Sequence, residues 1–158
     1  MTNTNTLAPV HDLLVPPHTG QPESKGESED AESNFYKIPL RPGEIYVGCI
    51  GDAAGNLHHV ILLPGDNDDA TWEAQMEWAK SIGGDLPTRI EQVMLWTNHR
   101  DQFKKDWYWS GEQYHCEPEW AWCQYFDSGG QYYYYRGAER RARAVRRVVQ
   151  RNPLLVLA

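Results

Sequence analysis

The stretch WEAQMEWAKSIGGDLPTRIEQVMLWTN, residues 72–98, decides the fold class. Trp72, Met76 and Ala79 recur at i, i+4 and i+7, the spacing that puts apolar side chains on one face of a helix. Gly83-Gly84 stops that helix, because glycine loses the most backbone freedom on becoming helical. Thr88-Arg89-Ile90-Glu91 opens a second one. Its threonine hydroxyl accepts from a free first-turn amide while the glutamate reaches back to the amide of the cap. This helix runs through Val93, Met94 and Leu95 to about Asn98. Asp66, Asp68 and Asp69 are read as the acidic start of the first helix, where carboxylates meet the positive end of the helix dipole.

Strand patterns flank the two helices. On the N-terminal side, Phe35–Ile38 and Ile45–Ile50 read as short strands, and Gly51-Asp52-Ala53-Ala54-Gly55-Asn56 has turn chemistry. His58–Leu63 is the return strand, ended by Pro64-Gly65. On the C-terminal side, Trp107–Trp109, Trp120–Phe126, Gln131–Tyr135 and Ala142–Val149 read as four strands of an antiparallel sheet, with a Ser128-Gly129-Gly130 turn. Strands, two helices, then strands make the class α+β.

The 158 residues are the size of one domain. Residues 1–34 are polar and acidic with one apolar island at Leu13-Leu14-Val15, too little to offset the entropy of ordering, so a disordered acidic tail is expected there. The domain is expected over 35–151, with a C-terminal tail at 152–158. A net charge of -7 conceals an asymmetry: from Arg136 onward seven arginines face only Glu139. The rest of the chain is acidic, so these arginines are read as intramolecular partners rather than a nucleic-acid stripe. No apolar run is long enough to span a membrane and no basic, apolar leader opens the chain, so a cytoplasmic product without membrane insertion is expected.

Catalytic and metal chemistry find little support. Cys49, Cys116 and Cys123 form no C-x-x-C, and no Walker loop, H-E-x-x-H or ordered Ser-His-Asp set is present. Only His58 and His59 are adjacent, and on a strand they face apart. Asp66, Asp68 and Asp69 lack the glycine and terminal glutamate of a calcium loop. No enzyme, no metal and no cofactor are expected.

All 19 aromatic residues lie between Phe35 and Tyr135. Trp107, Trp109 and Trp122 are read as framework, since alternate strand residues share a face and tryptophan buries a large area. The run Tyr132-Tyr133-Tyr134-Tyr135 differs: on a strand two rings must face outward, and in a loop more do. Exposed tyrosines beside Ser and Gly are the composition antibody paratopes favour.

Four motifs in order carry a resemblance: Gly84-Asp85-Leu86-Pro87-Thr88-Arg89, Trp107-Tyr108-Trp109-Ser110, Ala121-Trp122-Cys123-Gln124 and Arg141-Ala142-Arg143-Ala144-Val145-Arg146-Arg147. Together they resemble the DUF1566 family of bacteria, phages and prophages, over roughly residues 70 to 150. That family is related to the C-type lectin fold and to formylglycine-generating enzymes, so the resemblance implies a C-type lectin-like α+β domain. Variable proteins of diversity-generating retroelements belong to the same superfamily. Their adenine-directed mutagenesis turns asparagine codons into Tyr, Asp, Ser and Gly codons, the residues that crowd the segment from Trp122 to Arg136. Calcium-dependent sugar binding is not implied, because Glu117-Pro118-Glu119 only echoes the lectin loop and the Trp-Asn-Asp motif is missing. The paired cysteines of formylglycine-generating enzymes are missing too.

The expectation is therefore a ligand-binding module of phage or prophage origin, recognising a protein, a glycan or another cell-surface ligand. Its candidate contacts are Gln113, Tyr114, His115, Glu117, Tyr125, Asp127, Ser128, Gln131, Tyr132, Tyr133, Tyr134 and Tyr135. The alternatives are a structural or accessory virion protein contacting other phage proteins, and, last, a formylglycine-generating-type enzyme.

Overall fold

The computed structural model describes residues 38–151. The expected tails at 1–34 and 152–158, and the start of the first expected strand at Phe35, lie outside the described residues. Eight strands, two α-helices and one 3-10 turn follow in order: β1 Ile45–Gly51, β2 Leu57–Leu62, β3 Asn67–Ala70, α1 Trp72–Ser81, α2 Arg89–His99, the 3-10 turn Arg100–Gln102, β4 Trp107–Gln113, β5 Trp120–Tyr125, β6 Gln131–Tyr135, β7 Arg140–Ala142 and β8 Val145–Gln150. The class is α+β. One sheet has the order β1-β2-β8 and the other β3-β7-β4-β5-β6.

Three readings of the sequence are corrected. The acidic run before α1 is not the start of a helix: Asn67–Ala70 is an edge strand paired with β7, and Thr71 caps the helix by accepting from the Ala74 amide. The reason is Arg141, whose guanidinium reaches Asp66 and Asp68 and holds that segment extended against β7. The expected strand Ala142–Val149 is broken into β7 and β8, which belong to different sheets. Between them Arg143 turns inward, donating to the carbonyls of Leu63 and Gln102. Finally, the five-stranded sheet is mixed, because β4 and β7 run parallel where Tyr108 meets Arg141.

The capping box of α2 is present in both directions, between Thr88 and Glu91. The two helices cover opposite faces of the five-stranded sheet. On the α1 face, Trp72 and Ala79 pack with Trp109, Ala121, Cys123 and Ala142. On the α2 face, Leu95 packs with Tyr108 and Phe126 and also with Val47, Val60, Leu62 and Val145 of the smaller sheet. Helix α2 thus fills the space between the sheets, and neighbours on β4 alternate between the two cores. At Gly84, a side chain would meet the Val145 carbonyl oxygen at 2.7 Å, so only glycine lets the chain between the helices pass this close to β8.

Polar groups inside this packing are tied down. Gln75, wholly buried on α1, accepts from Asn67 and donates to the carbonyls of Asp68 and Arg140, joining α1 to β3 and β7. Glu91, also wholly buried, accepts from the Arg147 guanidinium through both carboxylate oxygens at 2.6 Å. Arg146 pairs with Glu44. Four arginines of the C-terminal run, Arg141, Arg143, Arg146 and Arg147, are therefore spent inside the fold.

Candidate functional site

The site is built on β5 and on β6, an edge strand of the five-stranded sheet. Their register sets Trp120 opposite Tyr135, Trp122 opposite Tyr133 and Gln124 opposite Gln131, so these six share the face that carries α2. The first turn of α2 is fastened here by glutamines. Gln124 donates to the Gln92 carbonyl, and Gln131 donates to the Arg89 carbonyl and to Gln124 Oε1. Gln92 in turn donates to the Tyr108 carbonyl. Its own Oε1 is buried without a partner among the described residues.

Beyond the helix end the same face becomes aromatic. The Arg89 guanidinium lies 3.6 Å from the centre of the Trp122 ring and is steadied by Gln131 Oε1. Tyr114, just past β4, stacks on Tyr133 with centroids 4.0 Å apart and planes 4° from parallel. Tyr132, which pairs with Cys123 and so starts from the opposite face of this edge strand, also lies parallel to Tyr133, at 4.9 Å and 5°. Trp122 and Trp120 meet Tyr133 edge-on. Three parallel phenols consume much of one another's ring faces, so what they offer outward is ring edges and hydroxyls. The Cys116 thiol and the Tyr133 phenol beside Tyr114 push its hydroxyl up to about 12, so Tyr114 is a neutral donor at physiological pH.

The expected contact residues divide into four groups. Tyr114, His115, Tyr132, Tyr133 and Tyr135 gather around the stack or next to it, with Tyr132 and Tyr135 about half exposed at 51% and 54%. Gln113, the last residue of β4, and Glu117, in the exposed connection to β5, flank it; Gln113 donates to the Pro118 carbonyl and the Glu117 amide donates to the Tyr114 carbonyl. Tyr125, Asp127 and Ser128 lie at the opposite end of β5, in or next to the turn to β6. There Asp127 pairs with Lys105 beside a cavity of about 450 Å³. Gln131 and Tyr134 are structural: the first locks α2, and the second packs on the α1 core, edge-on to Trp107 and under Arg140.

Trp122, read from the sequence as framework, is only half-buried and stands edge-on to Tyr114 and Tyr133. Sequence reasoning also missed Arg89. Its one visible signal is its place directly after the Thr88 cap, which fixes it at the first turn of a helix whose end abuts the sheet.

No protein-family model matches the chain, and no curated protein matches it. Among the described residues no group of three His, Cys, Asp or Glu side chains is placed to hold a metal ion, and no helix is long and apolar enough to cross a membrane.

Proposed function

We propose that the protein is a ligand-binding module whose contact surface is the aromatic edge formed by Tyr114, Trp122, Tyr132, Tyr133 and Tyr135 with Arg89. The observation that carries this is the parallel stack Tyr132–Tyr133–Tyr114 at a sheet edge, whose rings lie outside both core clusters and of which Tyr132 is half exposed. Rigid amphipathic rings on an ordered scaffold contact a partner at low entropic cost. A C-type lectin-like arrangement, the resemblance to DUF1566 and a phage or prophage origin belong to the same reading, as does diversification of this surface by a retroelement. A ligand met by ring edges and hydroxyls is one rich in hydrogen-bond acceptors, a glycan or an exposed protein main chain.

The test pairs binding with folding. Wild type and the Tyr114→Ser, Tyr132→Ser and Tyr133→Ser variants are screened against an array of glycans and purified bacterial surface proteins. Melting curves are recorded for each variant. The reading expects a ligand of the wild type to be lost by the variants while their melts stay close to wild type. A ligand retained equally by all three variants would place binding elsewhere. A neighbouring reverse-transcriptase gene with a near-copy of the region encoding residues 107–147 would add diversification to the reading.

A further inference from the structure

Among the described residues the two sheets end in four edge strands, β1 and β8 in one and β3 and β6 in the other. An edge strand presents a row of unpaired amides and carbonyls, a template for a further strand unless something blocks it. Three of the four are blocked. The register of β1 shifts between Tyr46 and Gly48, where φ is 149°, so that edge bulges. Strand β3 has only four residues, pairs irregularly and carries Asp68 and Asp69. The edge of β8 is covered at Val145, which exchanges both backbone bonds with Asp85, and then carries Arg146 and Arg147. Strand β6 has none of these devices. Gln131–Tyr135 holds no charge, proline or glycine, and its register against β5 runs unbroken from end to end.

Two backbone bonds fix which groups of β6 face outward. The Tyr125 amide donates to the Gly130 carbonyl, and the Arg136 amide donates to the Glu119 carbonyl. Opposed residues of an antiparallel ladder alternate between bonded and unbonded pairs. Tyr132 with Cys123 and Tyr134 with Ala121 are therefore bonded pairs, while Gln131, Tyr133 and Tyr135 turn their amides and carbonyls away from β5. Of these outward groups the Tyr135 carbonyl is occupied, by the Ala138 amide. The others centre on Tyr133: its own amide and carbonyl, the Gln131 carbonyl two residues before it and the Tyr135 amide two residues after.

We propose that β6 is a self-association surface, on which two copies of this chain pair β6 with β6, antiparallel, about a two-fold axis at Tyr133. In this register the Tyr133 residues of the two copies exchange both backbone bonds, and each Tyr135 amide donates to the other copy's Gln131 carbonyl. A second copy is the occupant that fits, because the donors and acceptors left on β6 complement their own image under a two-fold rotation. No side chain of the strand sets a charge against itself. Each copy has one such open edge, so the pairing closes at two and does not extend into a fibre. Pairing turns the half-exposed Tyr132 ring onto the α1 face, opposite Tyr134 of the second copy. The two five-stranded sheets become one of ten strands, and their aromatic surfaces come to lie side by side. Self-association uses the backbone at the edge of β6 and ligand binding the rings on its face, so either can hold without the other.

The experiment is sedimentation velocity on the full chain without ligand, from micromolar to millimolar concentration, in reducing buffer because Cys49 and Cys116 are exposed. Wild type should pass reversibly from monomer to dimer. Tyr133→Lys sets two ammonium groups across the axis and Tyr133→Glu two carboxylates, so each variant alone should dissociate about tenfold more readily, or more. An equimolar mixture of the two should recover a mixed dimer, which requires position 133 to face itself. Tyr135→Pro removes an amide hydrogen that faces away from β5, so the fold keeps its ladder while the dimer is weakened. Thermal melts record that each variant is folded. A wild type still monomeric at millimolar concentration overturns the proposal. So does a mixture of folded Lys and Glu variants that stays monomeric, or a folded Tyr135→Pro variant that dimerises as wild type does.

Discussion

Trp109 and Trp122 point to opposite faces of one sheet, because Trp109 lies directly across from Cys123, the next residue after Trp122. Trp109 is fully buried against α1 and donates its indole N–H to the Ala70 carbonyl, whereas Trp122 is half-buried under Arg89. Trp109→Ala should therefore cost about 3–5 kcal/mol, much of the stability of a typical domain. Trp122→Ala should cost about 1–2 kcal/mol, made of partial burial and one cation–π contact. Urea denaturation of the two variants checks the difference. Equal losses would mean that both rings belong to the core.

The four consecutive tyrosines should separate in the same way. Tyr132→Ser and Tyr135→Ser should each change stability by less than about 1 kcal/mol, as exposed positions usually do. Tyr134→Ser should cost about 2 kcal/mol, since it opens a gap against Trp107 and the α1 core. Thermal melts of the single variants decide this, and a uniform response across the run would contradict the face assignment.

Asp66 accepts from Arg141 at two positions and from the Tyr108 hydroxyl, and the Arg141 side chain is only 7% exposed. Removing the carboxylate leaves a nearly buried cation with only the solvent-exposed carboxylate of Asp68 beside it among the described residues. Asp66→Ala should cost about 3 kcal/mol or more, while Asp69→Ala, exposed on β3, should stay within about 0.5 kcal/mol. Chemical denaturation of the pair separates an ion-pair anchor from a generally acidic segment.

Acid should release Glu44. Its carboxylate accepts from Arg146 and from the Arg41 amide, and these bonds hold it down at about 2, below the usual 4.5. A lowered folded-state value means that the stabilisation is complete above about pH 5 and is lost as pH falls from about 4.5 toward 2. Glu91 works in the same direction: burial opposes its ionisation, and the Arg147 hydrogen bonds more than compensate. Melting temperature should fall through that window in wild type, and fall less steeply in Glu44→Gln, which starts lower at neutral pH. Parallel curves would remove Glu44 as a source of acid sensitivity.

The two helices were legible because their signals are local: the spacing of Trp72 and Ala79, the paired glycines, and a capping box closed within four residues. The hairpin of β1 and β2 and the strands β4 to β6 were legible for the same reason. What misled was long-range pairing. Asp66 and Asp68 look like helix-start residues until Arg141, far along the chain, supplies the partner that makes them strand. The break between β7 and β8 depends on Arg143 finding two carbonyls inside the fold, and no periodicity reports that. At the site, the tyrosines announced themselves by composition. Arg89, Trp122 and the glutamines did not, because their roles follow from which face of β5 each one occupies.

The placement of β8 has a consequence for how the protein comes to exist. This strand pairs along the whole of β2, and among the described residues the β1–β2 hairpin has no other neighbour in its sheet. While the chain is being made, the hairpin emerges early and waits with an open edge through some eighty residues of synthesis, from Leu62 to Val145. Helix α2 cannot be enclosed on that side until Arg147 arrives to meet Glu91. Completion of this sheet thereby waits for β8, and a ribosome that stops before Val145 leaves a product with an unpaired, aggregation-prone strand for the cell's quality control to find.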